Sequence, residues 1–210
     1  MLPGLYPVLD VDLCRARRLE PLVVLEAFLA GGARVIQLRD KDPSSGARLE
    51  RADAAVSLAR RAGARLIVND RADLARLSGA DGVHVGQEDL PVDEARRIVG
   101  PDRLVGISTH DDAQIAAAVR TSADYIAVGP IYGTISKDTG YTARGLDLVR
   151  HAVRASALPV VAIGGITLER APEVIAAGAA SVAVISDLLA GGDPAARVRM
   201  FLGALSERRV

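Results

Sequence analysis

The sequence predicts a single (β/α)8 barrel that spans residues 1–210. Short β-branched runs, each about one strand long, recur eight times and mostly alternate with Ala/Arg/Leu/Glu-rich segments of helical spacing. The runs are almost continuously apolar, as is typical of parallel strands buried on both faces. A chain of 210 residues has room for eight such units. A doubly wound open sheet is the alternative, and the absence of a GxGxxG motif after the first run disfavours it.

The predicted elements follow one another without a Pro/Ser-rich linker or a low-complexity tract, which predicts one domain. The segments 47–63 and 167–179 carry apolar residues at helical spacing and a glycine near their ends, so they are expected to be helices. The segment 71–80 is short and predicts a helix of one or two turns. The eight predicted strands cover residues 5–10, 35–38, 66–69, 82–86, 104–108, 125–129, 160–165 and 181–186.

Composition argues against several classes of protein. The 26 basic and 26 acidic residues cancel, whereas a nucleic-acid-binding protein is usually basic. Aromatic residues make up 3% of the chain and tryptophan is absent, so platforms for stacked bases are not expected. Charged residues are scattered through residues 1–30, which fits neither a signal peptide nor a membrane span. The single cysteine, Cys14, suits a reducing compartment, so we expect a cytoplasmic protein. The sequence does not indicate the oligomeric state.

Polar side chains follow nearly every predicted strand, at the edge where barrel active sites lie. Arg39 and Lys41 follow the second strand, and Lys137 lies in the long loop 130–141 after the sixth. Arginine matches the geometry of phosphate oxygens and lysine adds a compact charge. Three such cations on a neutral protein indicate a multiply charged anion such as pyrophosphate. The alternative is that the stretch QLRDK (37–41) is an ordinary loop.

Two carboxylates follow neighbouring strands. Asp70 comes directly after the third strand and Asp89 shortly after the fourth. Two unpaired carboxylates held close together would repel one another, and a Mg²⁺ bound by them and by phosphate oxygens removes that repulsion. The alternative is that each aspartate caps the following helix or pairs with a loop arginine such as Arg71.

Glycines mark the end of the seventh strand. In AIGGI (162–166) they allow close approach of a ligand to the backbone, and AVISDLL (183–189) leads the eighth strand into a short turn. The loops after strands 7 and 8 form the common phosphate site of these barrels. The alternative is that the glycines only make tight turns. The loop 130–141 is long enough to fold over a ligand or to be a plain surface loop.

Other reactive residue types have simpler explanations. His84 lies within an apolar strand and is expected to be a satisfied core histidine, and His110 is expected to begin the next helix. Cys14 has no activating histidine nearby in sequence. There is no zinc-ligand cluster, Schiff-base signature or GxSxG motif. Two anion pockets and a Mg²⁺ are most consistent with displacement of pyrophosphate by a second, phosphorylated substrate.

The chain resembles the thiamine phosphate synthase family, whose members are (β/α)8 enzymes, over almost its full length. The resemblance rests on six motifs in order, beside the end segments LYPVLD and AVISDL: QLRDK (37–41), VNDRADLA (68–75), GVHVGQEDLP (82–91), GISTH (106–110), GPIYGTISK (129–137) and AIGGIT (162–167). It implies that hydroxymethylpyrimidine diphosphate loses pyrophosphate while the nitrogen of hydroxyethylthiazole phosphate attacks the exposed methylene. It also implies a dissociative, Mg²⁺-assisted path without a covalent enzyme intermediate.

The resemblance also implies a set of site residues. The stretch 37–41 would contact the pyrimidine diphosphate, Asn69 would hold the pyrimidine, and Asp70 and Asp89 would bind Mg²⁺. Arg39, Lys41, Ser108 and Lys137 are the expected catalytic residues. The full set of expected substrate-binding residues is Gln37, Leu38, Arg39, Asp40, Lys41, Asn69, Ser108, Thr134, Ile135, Ser136, Lys137, Gly165, Ile185 and Ser186.

The loop after the sixth strand departs from the family pattern. The family usually has Thr-x-Thr-Lys where this chain has TISK, so Ser136 replaces the second threonine and keeps its hydroxyl. Tyr132 and Gly133 replace a frequent Phe-Pro, which is expected to loosen the loop. These changes bear on substrate affinity more than on the type of reaction.

Two rival functions are compatible with the same barrel. A thiazole tautomerase would share the phosphate pocket but would not need the diphosphate and Mg²⁺ residues that this chain retains. A non-catalytic phosphometabolite sensor would bind a phosphate ligand without turnover.

Overall fold

A computed structural model of the protein describes residues 2–133 and 140–206. Its strands pair in parallel in sequence order, and the last pairs with the first to close a barrel. The predicted fold class is therefore confirmed. The strands are β1 (Leu5–Asp10), β2 (Val35–Arg39), β3 (Arg65–Asn69), β4 (Gly82–Val85), β5 (Leu104–Thr109), β6 (Tyr125–Val128), β7 (Val160–Ile163) and β8 (Ser181–Val184).

Helices separate the strands, and two of them precede β2. A 3₁₀ segment, Ser186–Gly192, follows β8 before the last helix. The helices are α1 (Val11–Ala16), α2 (Pro21–Ala30), α3 (Ser45–Arg61), α4 (Ala72–Leu77), α5 (Val92–Val99), α6 (Asp112–Ala118), α7 (Gly145–Ala155), α8 (Ala171–Ala176) and α9 (Pro194–Ser206).

Several helices begin at a side-chain cap close to the end of a strand. Asp10, the last residue of β1, accepts the N–H of Leu13 at 2.9 Å and so starts α1. Ser44 and Asp111 cap α3 and α6 in the same way. These caps satisfy backbone N–H groups that lack a partner within the helix. They also fix the path of the chain just where it leaves the barrel mouth.

The apolar core has two layers, because successive side chains of a strand point to opposite faces. The larger layer lies between the sheet and the helices and includes Ile36, Leu66, Val83 and Phe28. The inner layer fills the barrel and contains two buried tyrosines, Tyr6 and Tyr125, with small aliphatic residues. The polar residues of the mouth stand above this inner layer.

Strand ends differ slightly from the sequence prediction at β7. This strand ends at Ile163 rather than residue 165, because Gly164 and Gly165 adopt φ values of 104° and 60°, outside the range of a strand. The two glycines therefore belong to the loop at the barrel mouth. Within the residues described, none of the helices is both long enough and apolar enough to cross a membrane.

Candidate active site

Apart from Leu38 and Asp40, the predicted site residues in the described part of the chain form three groups at the carboxyl ends of the strands. Gln37, Arg39, Asn69 and Ser108 line a small cavity of about 30 Å³ inside the mouth. Lys41, Asp70 and Asp89 form a charged group beside it. A larger cavity of about 240 Å³ is lined by several residues that include Ser108, Gly165, Ile185 and Ser186.

Arg39 is held in place by an aspartate that the sequence analysis did not select. The Nη1 atom of Arg39 lies 2.6 Å from Oδ2 of Asp10, and only 4% of the Asp10 side chain is exposed. The two residues are direct partners in the register of β1 and β2. Because a guanidinium has five N–H donors, the pair with Asp10 orients Arg39 while leaving donors for a ligand.

Lys41 contacts the first of the two predicted metal ligands. Its Nζ atom lies 2.5 Å from Oδ2 of Asp70. Asp70 adopts a left-handed backbone conformation with a φ of 65°, and its N–H donates to the carbonyl of His84 at 2.7 Å. Backbone strain at a non-glycine residue persists where the surrounding structure enforces it, and such residues cluster at functional sites.

Asp89 lies beside Asp70, as the order of the strands led us to expect. Its Oδ2 accepts the N–H of Gly86 at 2.7 Å. Burial raises the pKa of Asp89, and the adjacent Asp70 carboxyl raises it further, while the Gly86 N–H and Lys41 act in the opposite direction. Two carboxyl groups thus share a site in which full ionisation of both is unfavourable.

The chemistry of this pair fits a hard divalent cation. Mg²⁺ prefers sites with one or two carboxylates, its remaining ligands being water and phosphate oxygens. The sequence also suggests that each aspartate caps the following helix or pairs with Arg71, and neither contact is observed. Arg71 pairs with Asp73 at 2.5 Å, and neither α4 nor α5 has a side-chain cap. The described residues contain no group of three or more His, Cys, Asp or Glu side chains that could hold a metal.

Ser108 connects the two cavities, since it lines both. Its Oγ lies 2.8 Å from Nε2 of His84, and its carbonyl accepts the Nε2 amide of Gln87 at 2.6 Å. His84 is buried and hydrogen-bonded, so the expectation of a satisfied core histidine is confirmed. Its contact with Ser108 also makes it a neighbour of the site.

The larger cavity lies between the loops that follow β5 to β8. Gly165 cannot be replaced by a larger residue without movement, because a Cβ there would lie 2.4 Å from the carbonyl oxygen of Gly133. The glycines therefore make a tight turn and also bring two loops together. His110 lines the same cavity, its Nδ1 lying 2.6 Å from the carbonyl of Gly129, and it stacks on Tyr141. The helix that follows is capped by Asp111 instead.

Tyr132 anchors the start of the loop after β6. Its hydroxyl donates to Glu173 of α8, and the guanidinium of Arg170 lies 4.5 Å from the centre of its ring. Burial, followed by the contact with Glu173, raises the pKa of Tyr132 to about 12. The tyrosine therefore makes a contact that a phenylalanine could not make. The expected loosening of the loop stays a prediction, because residues 134–139 lie outside the described part of the chain. Arg170 also donates to the carbonyl of Gly165 at 2.9 Å.

The side chains of Leu38 and Asp40 do not join the three groups. Leu38 packs in the layer between sheet and helices, and the buried Asp40 accepts hydrogen bonds from Arg51 of α3 and the Asp42 N–H. Strand alternation explains this outcome for Leu38, which lies between the inward-facing Gln37 and Arg39 of β2. Asp40 directly follows β2 and is held by its hydrogen bonds with Arg51 and the Asp42 N–H. Contact of these two residues with a substrate stays a prediction and would have to use their backbone.

Four predicted residues lie outside the described part of the chain: Thr134, Ile135, Ser136 and Lys137. Cys14 is buried, and burial with the nearby Asp10 raises its pKa to about 11, which keeps it a thiol at neutral pH.

Comparison with known proteins gives a consistent result. A family model described as thiamine monophosphate synthase matches residues 5–188. A putative thiamine-phosphate synthase of Geobacter sulfurreducens is 44% identical over 98% of this chain and 95% of its own length. The thiamine biosynthesis bifunctional protein ThiM/ThiE of Symbiobacterium thermophilum is 52% identical over 87% of this chain, and the match spans 38% of that longer protein. The solved thiamine phosphate pyrophosphorylase of Pyrococcus furiosus superposes with a TM-score of 0.87 at 32% identity, covering 97% of this chain and 96% of that one.

Proposed function

The chain belongs to the thiamine monophosphate synthase family, and we propose that it joins two phosphorylated substrates to make thiamine phosphate. The substrates are 4-amino-2-methyl-5-hydroxymethylpyrimidine diphosphate and hydroxyethylthiazole phosphate. The bond between the pyrimidine methylene and the diphosphate oxygen breaks, and its electron pair leaves with pyrophosphate. The thiazole nitrogen supplies the electron pair of the new C–N bond.

One observation carries this proposal: Ser108 lines both cavities of the mouth. The smaller cavity has the polar residues Gln37, Arg39 and Asn69, and the larger one has the turn at Gly165. Substrates bound at these two cavities would approach one another at Ser108 and at the apolar residues Ile163, Ala183 and Ile185, which also line both. Holding two reactants side by side removes much of the entropic barrier of a bimolecular reaction.

The diphosphate is assigned to the cationic side of the mouth. Arg39, fixed by Asp10, would bind the phosphate oxygens as a fork, and Lys41 would add a point charge. Gln37 and Asn69 would orient the pyrimidine. Ser108 and Lys137 would also contact the diphosphate. Together these groups would stabilise the charge that develops on the departing pyrophosphate.

Asp70 and Asp89 would hold the Mg²⁺ that the resemblance implies. A bound Mg²⁺ supplies positive charge to phosphate oxygens and so helps to stabilise the leaving group. Lys41 contacts Asp70 at 2.5 Å, so the lysine and the metal would both bring positive charge to this side of the mouth.

The thiazole phosphate is assigned to the larger cavity. Gly165, Ile185 and Ser186 would surround its phosphate group, in the loops that commonly bind phosphate in this fold. Thr134, Ile135 and Ser136 would line the same site. The electron-rich aminopyrimidine favours a dissociative path, so the chain needs no side-chain nucleophile, and catalysis comes from binding, orientation and electrostatics.

A product assay tests the proposal. Purified protein would be incubated with both substrates and Mg²⁺, and thiamine phosphate and pyrophosphate would be quantified separately. We expect equal amounts of both products, and loss of both with EDTA. Folded protein that forms neither product would refute the synthase. Isomerisation of a thiazole carboxylate phosphate would then support the tautomerase, and calorimetric binding of hydroxyethylthiazole phosphate without turnover would support the sensor.

A further inference from the structure

A continuous series of hydrogen bonds crosses the interior of the barrel and ends at Ser108. The Nε2 atom of Gln37 donates to the hydroxyl of Tyr6 at 3.3 Å, and the hydroxyls of Tyr6 and Tyr125 lie 2.8 Å apart. The Tyr125 hydroxyl lies 3.0 Å from Nδ1 of His84, whose Nε2 is 2.8 Å from Oγ of Ser108. Five side chains from β1, β2, β4, β5 and β6 are linked in this way.

The direction of the series follows from the number of protons on each group. An amide nitrogen can only donate, so Tyr6 accepts from Gln37 and directs its own proton to Tyr125. Tyr125 then has one proton to give, and Nδ1 of His84 is its partner. Burial raises the pKa of Tyr6 to about 12 and that of Tyr125 well above its ordinary value, so both remain neutral phenols with one proton each.

The barrel is built to hold this arrangement. In the strand register Gly106 of β5 pairs with His84 on one side and Tyr125 on the other. A Cβ at Gly106 would lie 2.0 Å from the ring of Tyr125, so glycine is what makes room for that ring. The Tyr6 and Tyr125 rings pack edge to face, with their centres 5.9 Å apart. His84 is 6% exposed and therefore has little access to water.

We propose that His84 is a positioning residue, held as the Nε2–H tautomer so that it donates to Ser108 and leaves the Ser108 proton for a ligand at the mouth. Tyr125 selects the tautomer by donating to Nδ1, and Gln37 sets the direction of the whole series. The identity of the ligand rests on the proposed function: the acceptor would be a phosphate oxygen of the diphosphate. A hydroxyl that donates to an anion makes one of the stronger hydrogen bonds in proteins.

The opposite arrangement would have different chemistry. With Nδ1 protonated, His84 would donate to Tyr125 and accept the Ser108 proton at Nε2, as in a serine–base pair. Ser108 would then no longer have its proton for the anion. The same hydrogen-bond distances therefore fit two roles. In one tautomer of His84, Ser108 donates its proton to a ligand, and in the other, His84 accepts that proton as a base.

Nitrogen NMR of the full-length protein measures this tautomer without any substrate. A long-range ¹⁵N–¹H spectrum of the three histidines is assigned with His84→Gln and, as a surface control, His151→Gln. We expect Nε2 of His84 to be protonated and Nδ1 to be unprotonated at neutral pH, and Tyr125→Phe to produce a mixture of tautomers. A protonated Nδ1 in the wild-type protein would overturn the proposal, whether or not the enzyme makes thiamine phosphate.

Kinetics then test whether His84 acts through Ser108. Ser108→Ala is expected to lower kcat about 100-fold, as for loss of a donor to a developing anion. His84→Leu should lower kcat about 10-fold with little change in either KM, and His84→Gln, which restores an amide donor, should recover most of that loss. In the Ser108→Ala background His84→Leu should have no further effect, because the group through which it acts is gone.

Two outcomes would contradict this coupling. If His84→Leu lowered kcat by the same factor with and without Ser108, the histidine would act independently of the serine. If His84→Leu did not fold, Tyr125→Phe would be used instead. If Tyr125→Phe lowered kcat by the same factor with and without Ser108, the coupling would likewise be contradicted. Absence of product from wild-type protein would refute the proposed function and leave the NMR result as the test of the hydrogen-bond series.

Discussion

At the scale of single residues, the site carries interactions that disfavour the folded state without a ligand. Asp70 combines a left-handed backbone, a cost of about 1 kcal/mol for a non-glycine residue, with a carboxyl beside that of Asp89. Proteins often lose stability at sites whose geometry is needed for function. We therefore expect the aspartate pair to lower the stability of the metal-free protein and to be needed for the proposed metal binding.

Asp89→Asn should stabilise the metal-free protein and inactivate it. The amide keeps an oxygen for the Gly86 N–H and removes a charge that burial and Asp70 disfavour. We expect the Tm at neutral pH to rise by about 2 °C. Turnover should fall about 100-fold or more, because a proposed metal ligand is lost. Calorimetry and the product assay measure the two effects, with the exposed Asp53→Asn as a control that should change neither.

The raised pKa of Asp89 also sets the sign of a pH effect. An unfolded aspartate has a pKa of about 3.9, so above that pH the folded protein binds more protons at this group than the unfolded chain. The contribution of Asp89 to stability is therefore greatest below this value and is lost as pH rises through the folded pKa. Asp89→Asn should remove that part of the pH dependence of the metal-free Tm. An unchanged pH profile would show that the carboxyl is not perturbed.

Asp10 is predicted to act through Arg39. Asp10→Asn retains an oxygen to cap α1 at Leu13 and removes the charge that pairs with the guanidinium. We expect KM for the pyrimidine diphosphate to rise about 10-fold, since a hydrogen bond between charged groups contributes about 1.5–3 kcal/mol. KM for the thiazole phosphate should stay unchanged. Asp73→Asn, which removes a similar pair with Arg71 on the surface, is the matched control.

At the scale of elements, the loops after β6 and β7 hold one another. Gly165 touches the backbone of Gly133, and Tyr132 joins its own loop to α8 through Glu173 and Arg170. The larger cavity is bounded by these loops, so its shape depends on their contact. Substitutions that separate these two loops are expected to weaken binding of the thiazole phosphate more than binding of the diphosphate.

Gly165→Ala tests the contact between the loops. A Cβ there would lie 2.4 Å from a carbonyl oxygen, and the φ of 60° already disfavours alanine. We expect a loss of stability of about 2 kcal/mol and a rise of about 10-fold in KM for the thiazole phosphate. Gly63→Ala is the matched control, with a φ of 64° and no atom within 4 Å of the added Cβ. It should cost about 1 kcal/mol and leave KM unchanged.

Tyr132 is predicted to support substrate affinity rather than the chemical step. Tyr132→Phe should raise KM for the thiazole phosphate about 2-fold, because it loses the hydrogen bond to Glu173 and keeps the ring under Arg170. Tyr132→Ala should raise it about 10-fold, since both contacts are lost. Steady-state kinetics with the diphosphate saturating distinguishes KM from kcat. A fall in kcat alone would show that the loop acts on the reaction instead.

At the scale of the whole molecule, the features visible in sequence are those with a local signal. Eight apolar runs indicated the barrel, and the polar residues at their ends indicated the mouth, including the neighbouring Asp70 and Asp89. The sequence predicts the stretch 37–41 as one contact surface, whereas the side chains of Leu38 and Asp40 point away from the mouth. Applying the period of two within this stretch would have separated them.

The remaining contacts depend on register between distant strands, which a single sequence does not specify. Asp10 meets Arg39 only because β1 and β2 pair with those residues opposite one another. His84 reaches Ser108 and Tyr125 because three strands align at Gly106. In the sequence Asp10 and His84 lie in the segments LYPVLD and GVHVGQEDLP, but nothing in either segment indicates which distant side chain the residue contacts. Their roles appear only when the barrel is closed.

The proposed function requires two phosphorylated groups to bind on opposite sides of Ser108. A crystal structure of the protein with thiamine phosphate, pyrophosphate and Mg²⁺ tests it directly. We expect pyrophosphate beside Arg39 and Lys41, Mg²⁺ between Asp70 and Asp89, and the phosphate of thiamine phosphate at Gly165 and Ser186. Pyrophosphate in the cavity of Gly165, or a metal remote from both aspartates, would refute this arrangement of the site.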